Sequence, residues 1–216
     1  MPDPFELIIF DCDGVLVDSE RIANTVFARI LAEECGIQFS LEQMFDVFVG
    51  HSYAHCMEKI EFILGDVPPP TLGQRYNSEI NAALQQSVEA VKGIDEVLSG
   101  LSLPFCVASS GSHEKMNLTL GKTKLLRHFD GNIFSTSEVA RGKPEPDIYL
   151  HAAKRMGANP ANCLVIEDSP IGVSGAIAAG MTVFGFAELM PAPKLIDKGA
   201  NRTFSAMAEL PGLISI

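Results

Sequence analysis

The sequence predicts an α/β protein: a parallel sheet flanked by helices, with a helical domain inserted after the first strand. Three observations carry that reading. The apolar run Leu7–Phe10 stops abruptly at Asp11 and Asp13, and a strand buried on both faces of a parallel sheet reads as such an unbroken run. Residues 20–88 carry apolar positions at helical spacing and no strong strand signal. From residue 94 short apolar runs alternate with helical stretches, the rhythm of a parallel sheet covered by helices. The expected division is a core of residues 1–17 and 89–216 and a helical domain of residues 18–88.

In order along the chain, Gly14 lets the backbone turn after the two acids, and Asp18 and Ser19 suit the start of a helix. Ile22, Val26, Phe27, Ile30 and Leu31 form one face of that helix, and Gly36 ends it. Ser40 with Gln43, and Thr71 with Gln74, have capping-box spacing. Between them Ile60, Ile63 and Leu64 close a helix before Gly65 and the breaker Pro68-Pro69-Pro70. Tyr76, Ile80, Ala83 and Leu84 continue the last helix toward a return at residues 88–93. Then come four more strands: Phe105 to Ala108, a weaker one at Asn132-Ile133-Phe134, Cys163 to Ile166, and residues 181–186 as the last clear one. Ser109-Ser110-Gly111, Lys143-Pro144 and Glu167-Asp168-Ser169-Pro170 follow three of them, so one sheet edge would collect the polar groups, where open α/β sheets bind ligands.

The chain has 216 residues, 47% of them hydrophobic, enough for a substantial core in at most two domains. Its 16 basic against 27 acidic residues give a formal charge of −11, a field that repels nucleic acid and anionic membranes. An anionic substrate therefore needs local cations or a metal. Five scattered cysteines without zinc-type spacing suit a reducing cytoplasm. Met1-Pro2-Asp3-Pro4 lacks the basic start of a secretory leader, and no apolar run approaches the ~20 residues of a membrane span. A monomer fits the sequence.

Each polar motif has an ordinary structural reading. Ser109 and Ser110 could simply cap a helix, Lys143 could be a solvated loop residue, and Glu167 to Pro170 makes a good helix start. Gathered at one edge, they fit phosphoryl transfer to a carboxylate. Asp11 would attack phosphorus and carry the phosphoryl group. Two anions need a hard cation between them, and Mg²⁺ suits oxygen ligands such as Asp11 and Asp168, with Glu167 beside them. Ser109 and backbone N–H groups around Cys12, Ser110 and Gly111 would hold phosphate oxygens, Lys143 would neutralise them, and Asp13 would act as general acid and base.

These motifs, Asp11-x-Asp13-Gly14-x-x-x-Asp18-Ser19, Ser109, Lys143-Pro144 and Glu167-Asp168-Ser169, resemble in order and spacing those of the haloacid dehalogenase (HAD) superfamily, and residues 20–88 resemble the cap of its phosphatase and β-phosphoglucomutase branch. The resemblance implies a Rossmann-like core and a helical cap that closes over the substrate. It also implies an Asp11 nucleophile, an Asp13 acid/base, and Mg²⁺ held by Asp11, the Asp13 backbone carbonyl and Asp168. Dehalogenases and phosphonate-cleaving members lack an acid at the position of Asp13. Mutases of the branch typically carry a histidine at the position of Ala23 and an arginine near Tyr53, so hydrolysis of a small phosphate ester is expected. A sugar-phosphate mutase and a non-catalytic relic of the fold are the alternatives. The stretches Cys106-Val107, Lys115-Met116, Leu120-Gly121-Lys122, His151 to Lys154 and Gly180-Met181 are similar to bacterial 6-phosphogluconate phosphatases, which implies a phosphorylated sugar or sugar acid as substrate. His51, in Gly50-His51-Ser52, is either a specificity residue or an exposed loop residue. With His55 it has the spacing of a metal pair but too few further ligands nearby. Arg75 reads as a solvated helix residue.

Overall fold

The computed structural model describes residues 5–49, 53–129 and 131–214, with only the backbone of Tyr53 and Ala54 described. The chain divides into two compact units, residues 1–18 with 89–216, and residues 19–88. His51 lies outside the described residues.

The first unit is built on six parallel strands in the order β3-β2-β1-β4-β5-β6. They are β1 (Leu7–Phe10), β2 (Phe105–Ser109), β3 (Ile133–Ser135), β4 (Cys163–Glu167), β5 (Thr182–Phe186) and β6 (Arg202–Phe204). Every residue of β1 and β4 is buried, as their apolar runs require. The chain builds outward from β1 to β3, then returns to the other side of β1 and builds outward again. The reversal falls between β1 and β4, where Phe10 pairs with Ile166, and it opens a crevice at the carboxyl ends of those two strands. After β2 comes α6 (His113–Lys122), after β3 α7 (Asp147–Met156), and after β4 α8 (Pro170–Ala178). Helix α7 packs on β1, β2 and β3, and α8 on β4 and β5.

Two features depart from expectation here. Strand β4 continues into Glu167, which is fully buried. A sixth strand, β6, pairs with β5 at the sheet edge; Arg202-Thr203-Phe204 is too short and too polar to announce itself. Where the chain leaves and re-enters this unit the two segments pair: Asp18 N–H donates to Glu89 O at 3.0 Å and Val91 N–H to Leu16 O at 3.0 Å. Gly93 sits at φ 85 and opens α5 (Ile94–Gly100), a conformation that favours glycine.

The second unit holds α1 (Glu20–Cys35), α2 (Leu41–Phe48), α3 (Tyr53–Leu64) and α4 (Thr71–Ser87). It has a core of its own, centred on Phe27, Ile30, Leu31, Met44, Ile60 and Leu72. Gly36 ends α1 in the left-handed region at φ 68, and Ser40 and Gln43 form the expected capping box on α2. The second box does not form. Pro70, at φ −63 and ψ −19, precedes α4 and is already helical, so Thr71 lacks the extended backbone of an N-cap. The Thr71 hydroxyl donates to Glu34 instead. Arg75 is also not simply solvated. Its guanidinium pairs with Glu33, Glu34 and Glu79, and Arg29 joins the same network through Glu33 and Glu79.

Candidate active site

The crevice between β1 and β4 receives its residues from four strand ends. Asp11 directly follows β1 and is buried, its N–H donating to Ile166 O at 3.0 Å. The chain then folds back on itself: Leu16 and Val17 N–H both donate to Cys12 O, and Gly14 N–H to Val17 O. Gly14 must be glycine on two counts. Its φ is 77, and a Cβ there would lie 2.0 Å from Asp168 Oδ2. The first turn and the carboxylate after β4 are thus in direct apposition.

Lys143, in the loop before α7, reaches into the crevice with only 3% of its side chain exposed. Its Nζ donates to Asp11 Oδ1 and to Glu167 Oε1, both at 2.6 Å. Burial works against that charge, but Asp11 and Glu167 outweigh it and hold Lys143 well above the usual lysine range. Burial pushes the Asp11 carboxyl up to about 7; Lys143 pulls it down, while Glu167 and Asp13 push it up.

Glu167 is saturated. Oε1 accepts from Lys143 and, at 2.9 Å, from the Tyr149 hydroxyl; Oε2 accepts from the Ser169 N–H and hydroxyl, both at 2.9 Å. Four donors fill the lone-pair sites of one carboxylate. The Ser169 hydroxyl in turn accepts the Gly172 N–H at 3.0 Å and caps α8. A Cβ on Gly172 would lie 1.8 Å from Glu167 Oε1, so that helix can pass Glu167 only with glycine there. The Lys143 ammonium also lies 5.0 Å above the Tyr149 ring, within cation–π range.

After β2, Ser109 is buried and its hydroxyl accepts the Gly111 N–H at 3.0 Å. Ser112, not Ser109 or Ser110, caps α6 by accepting from Lys115 N. Ser110 is exposed. The loop is braced from β3: the Ser135 hydroxyl donates to Gly111 O at 2.7 Å and Thr136 to Ser110 O at 3.2 Å. Cys12 is buried and its thiol held neutral by that burial, leaving its backbone as the group able to meet a ligand. Asp13 is partly exposed, and Lys115 Nζ pairs with its Oδ1 at 2.8 Å.

Asp11, Glu167 and Asp168 each bring a carboxylate oxygen into a group spanning no more than 4.8 Å. All-oxygen and buried, this group fits a hard divalent cation with Asp11 and Asp168 as its carboxylate donors, since Glu167 already accepts from Lys143, Tyr149 and Ser169.

Among the residues around this crevice, Tyr149, Gly172 and Lys115 carry no reading as site residues in the sequence. Tyr149 and Gly172 look like ordinary positions of helices. Lys115 stands only within one of the stretches similar to the 6-phosphogluconate phosphatases.

A sheet that reverses at β1, with acids at the ends of β1 and β4 and a lysine between them, defines a Rossmann-like core with its polar site at the switch point. Residues 8–186 match the haloacid dehalogenase-like hydrolase family, and the chain belongs to it. Over 209 residues it is 34% identical to 6-phosphogluconate phosphatase of Escherichia coli (strain K12), covering 96% of this chain and 94% of that one. It is 35% identical over 192 residues to hexitol phosphatase A of the same organism, covering 87% and 85%. The crystal structure of a conserved haloacid dehalogenase-like protein of unknown function from Agrobacterium tumefaciens str. C58 superposes with a TM-score of 0.92 at 37% identity, covering 98% of each chain.

Proposed function

We propose that the protein is a Mg²⁺-dependent phosphomonoester hydrolase acting through an aspartyl phosphate, on a small phosphorylated sugar or sugar acid. The observation that carries this is the buried Asp11 carboxylate, placed where the strand order reverses, paired with Lys143 at 2.6 Å and grouped with Asp168. The names of the relatives, both phosphatases of sugar-derived phosphates, support the substrate class.

Asp11 attacks phosphorus, and the bond from phosphorus to the ester oxygen breaks. Asp13 gives its proton to the departing alcohol, then takes one from the water that attacks the aspartyl phosphate and releases inorganic phosphate. The Ser109 hydroxyl, which accepts the Gly111 N–H, keeps its own proton to donate to a phosphate oxygen. The N–H groups of the 109–111 loop and of Cys12 hold the others. Lys143 neutralises charge on the phosphoryl group. Asp11, the Asp13 backbone carbonyl and Asp168 would hold Mg²⁺, which supplies the positive charge that lets a carboxylate approach a phosphate. Glu167, with its four donors in place, fixes Lys143 instead of joining the ion.

The reading takes water, not a second sugar hydroxyl, as the final acceptor: alanine stands at position 23, where mutases of the branch typically carry a histidine, and Arg75 is already paired with Glu33, Glu34 and Glu79. The test is phosphate release from a generic aryl phosphate with and without Mg²⁺. Asp11→Asn is expected to lower turnover by several orders of magnitude while the protein stays folded. Near-normal turnover in Asp11→Asn removes the covalent mechanism.

A further inference from the structure

Two lysines touch the carboxylates of this site, and their surroundings differ sharply. Lys143 is 3% exposed and clamped between Asp11 and Glu167. Lys115, in the first turn of α6, is 31% exposed and pairs with Asp13 Oδ1 at 2.8 Å. Its stem runs along the loop after β2: a Cβ on Gly111 would lie 3.6 Å from Lys115 Cδ and 3.5 Å from Asp13 Oδ2. The lysine therefore borders both the loop assigned to the phosphate and the acid assigned to the departing alcohol.

We infer that Lys115 is a specificity-determining residue that pairs with a second anionic group, a carboxylate, on the alcohol side of the substrate. This rests on the phosphatase reading above. That reading asks Asp13 to present an oxygen to the ester oxygen, yet in the structure Lys115 occupies Oδ1. A substrate that carries its own carboxylate offers the ammonium another partner and frees Asp13 for the leaving group. A neutral polyol offers no such exchange.

The reach is suitable. The Lys115 ammonium is one ion-pair length from Asp13, and Asp13 must stand one hydrogen bond from the ester oxygen. An anion bound to Lys115 is then within the span of a six-carbon chain that begins at that oxygen. The need is also real: the chain carries a net charge of −11, and Asp11, Asp13, Glu167 and Asp168 line the crevice. A substrate with charge beyond its phosphate requires a cation that the nucleophile and the metal have not already claimed. Lys143, held by two carboxylates in the interior, does not supply it.

The proposal is tested with a substrate pair that differs at a single carbon. 6-Phosphogluconate and glucitol 6-phosphate share the chain and the phosphate; one ends in a carboxylate and the other in an alcohol. Wild type is expected to prefer the acid in kcat/KM. In Lys115→Met the ratio of the two kcat/KM values should fall about ten- to a hundred-fold, the worth of one charge-assisted hydrogen bond. The loss should sit mainly in KM for the acid. Lys115→Arg should recover most of the ratio, which also guards against a folding defect in the methionine variant. A wild-type ratio near one, or a ratio that Lys115→Met leaves in place, overturns the proposal. Failure of the phosphatase reading looks different: no phosphate is released from either compound or from an aryl phosphate.

Discussion

Replacing Glu167 by Gln tests what holds Lys143 in the crevice. The change keeps shape and volume but removes the charge and turns one oxygen into an amide nitrogen. Each Glu167 oxygen faces two donors, Lys143 and Tyr149 on one side and the Ser169 N–H and hydroxyl on the other. Whichever way the amide lies, its NH₂ meets either an ammonium or a backbone N–H, neither of which can turn to accept. Lys143, almost fully buried, also loses one of its two counter-charges. Breaking a buried pair from one side costs about 3–5 kcal/mol. For a chain of 216 residues, about 2–4 °C per kcal/mol gives a drop of roughly 6–20 °C in melting temperature. Thermal melts of wild type and Glu167→Gln should be compared in EDTA and again in Mg²⁺. The drop is expected in both, together with lost turnover. A variant that melts within about 2 °C of wild type in EDTA, or that is destabilised only in the presence of the metal, refutes the positioning role and makes Glu167 a ligand of the ion.

Gly14→Ala should weaken metal binding more than it weakens the fold. The new Cβ would fall on Asp168 and the backbone is at φ 77, so the Mg²⁺ concentration for half-maximal activity should rise about tenfold or more, while the left-handed strain alone costs only about 1–2 kcal/mol. Metal-free wild type should lose stability as pH rises from about 4 to about 7. Burial lifts Asp11 from 3.8 to about 7, so across that window the folded state keeps a proton that the unfolded chain has released. Denaturant melts in EDTA at several pH values should show this slope, and Asp11→Asn should lack it.

What the sequence made legible follows from what each feature needs in order to be seen. β1 was legible because burial on both faces writes an unbroken apolar run, and the two acids after it stand out by contrast. The alternation of strands and helices placed Ser109, Lys143, Glu167 and Asp168 after successive strands, and the observed register puts those strand ends side by side. β4 was read one residue short because an acid does not look like the interior of a sheet; Glu167 is tolerated there only because four donors converge on it from three separate places in the chain. Tyr149 left no mark for the same reason, since its hydroxyl acts on a partner 18 residues away. Thr71 shows the opposite error. The spacing of a capping box was present, but the pattern does not encode the backbone of the residue before it, and Pro70 had already begun the turn. β6 has three residues at an edge, too few for a period to emerge.

The closed circuit around Glu167 also bears on how such a sequence can drift. Lys143, Tyr149, Glu167, Ser169 and Gly172 each satisfy or make room for another member, and they come from two loops, two helices and a strand. A substitution at one leaves a donor or an acceptor stranded in the interior, so its cost depends on what stands at the others. Effects at these five positions should be strongly non-additive, in the way of any hydrogen-bonded network. The set is therefore expected to be inherited as a block, while the apolar residues of the surrounding strands exchange freely for others of similar volume.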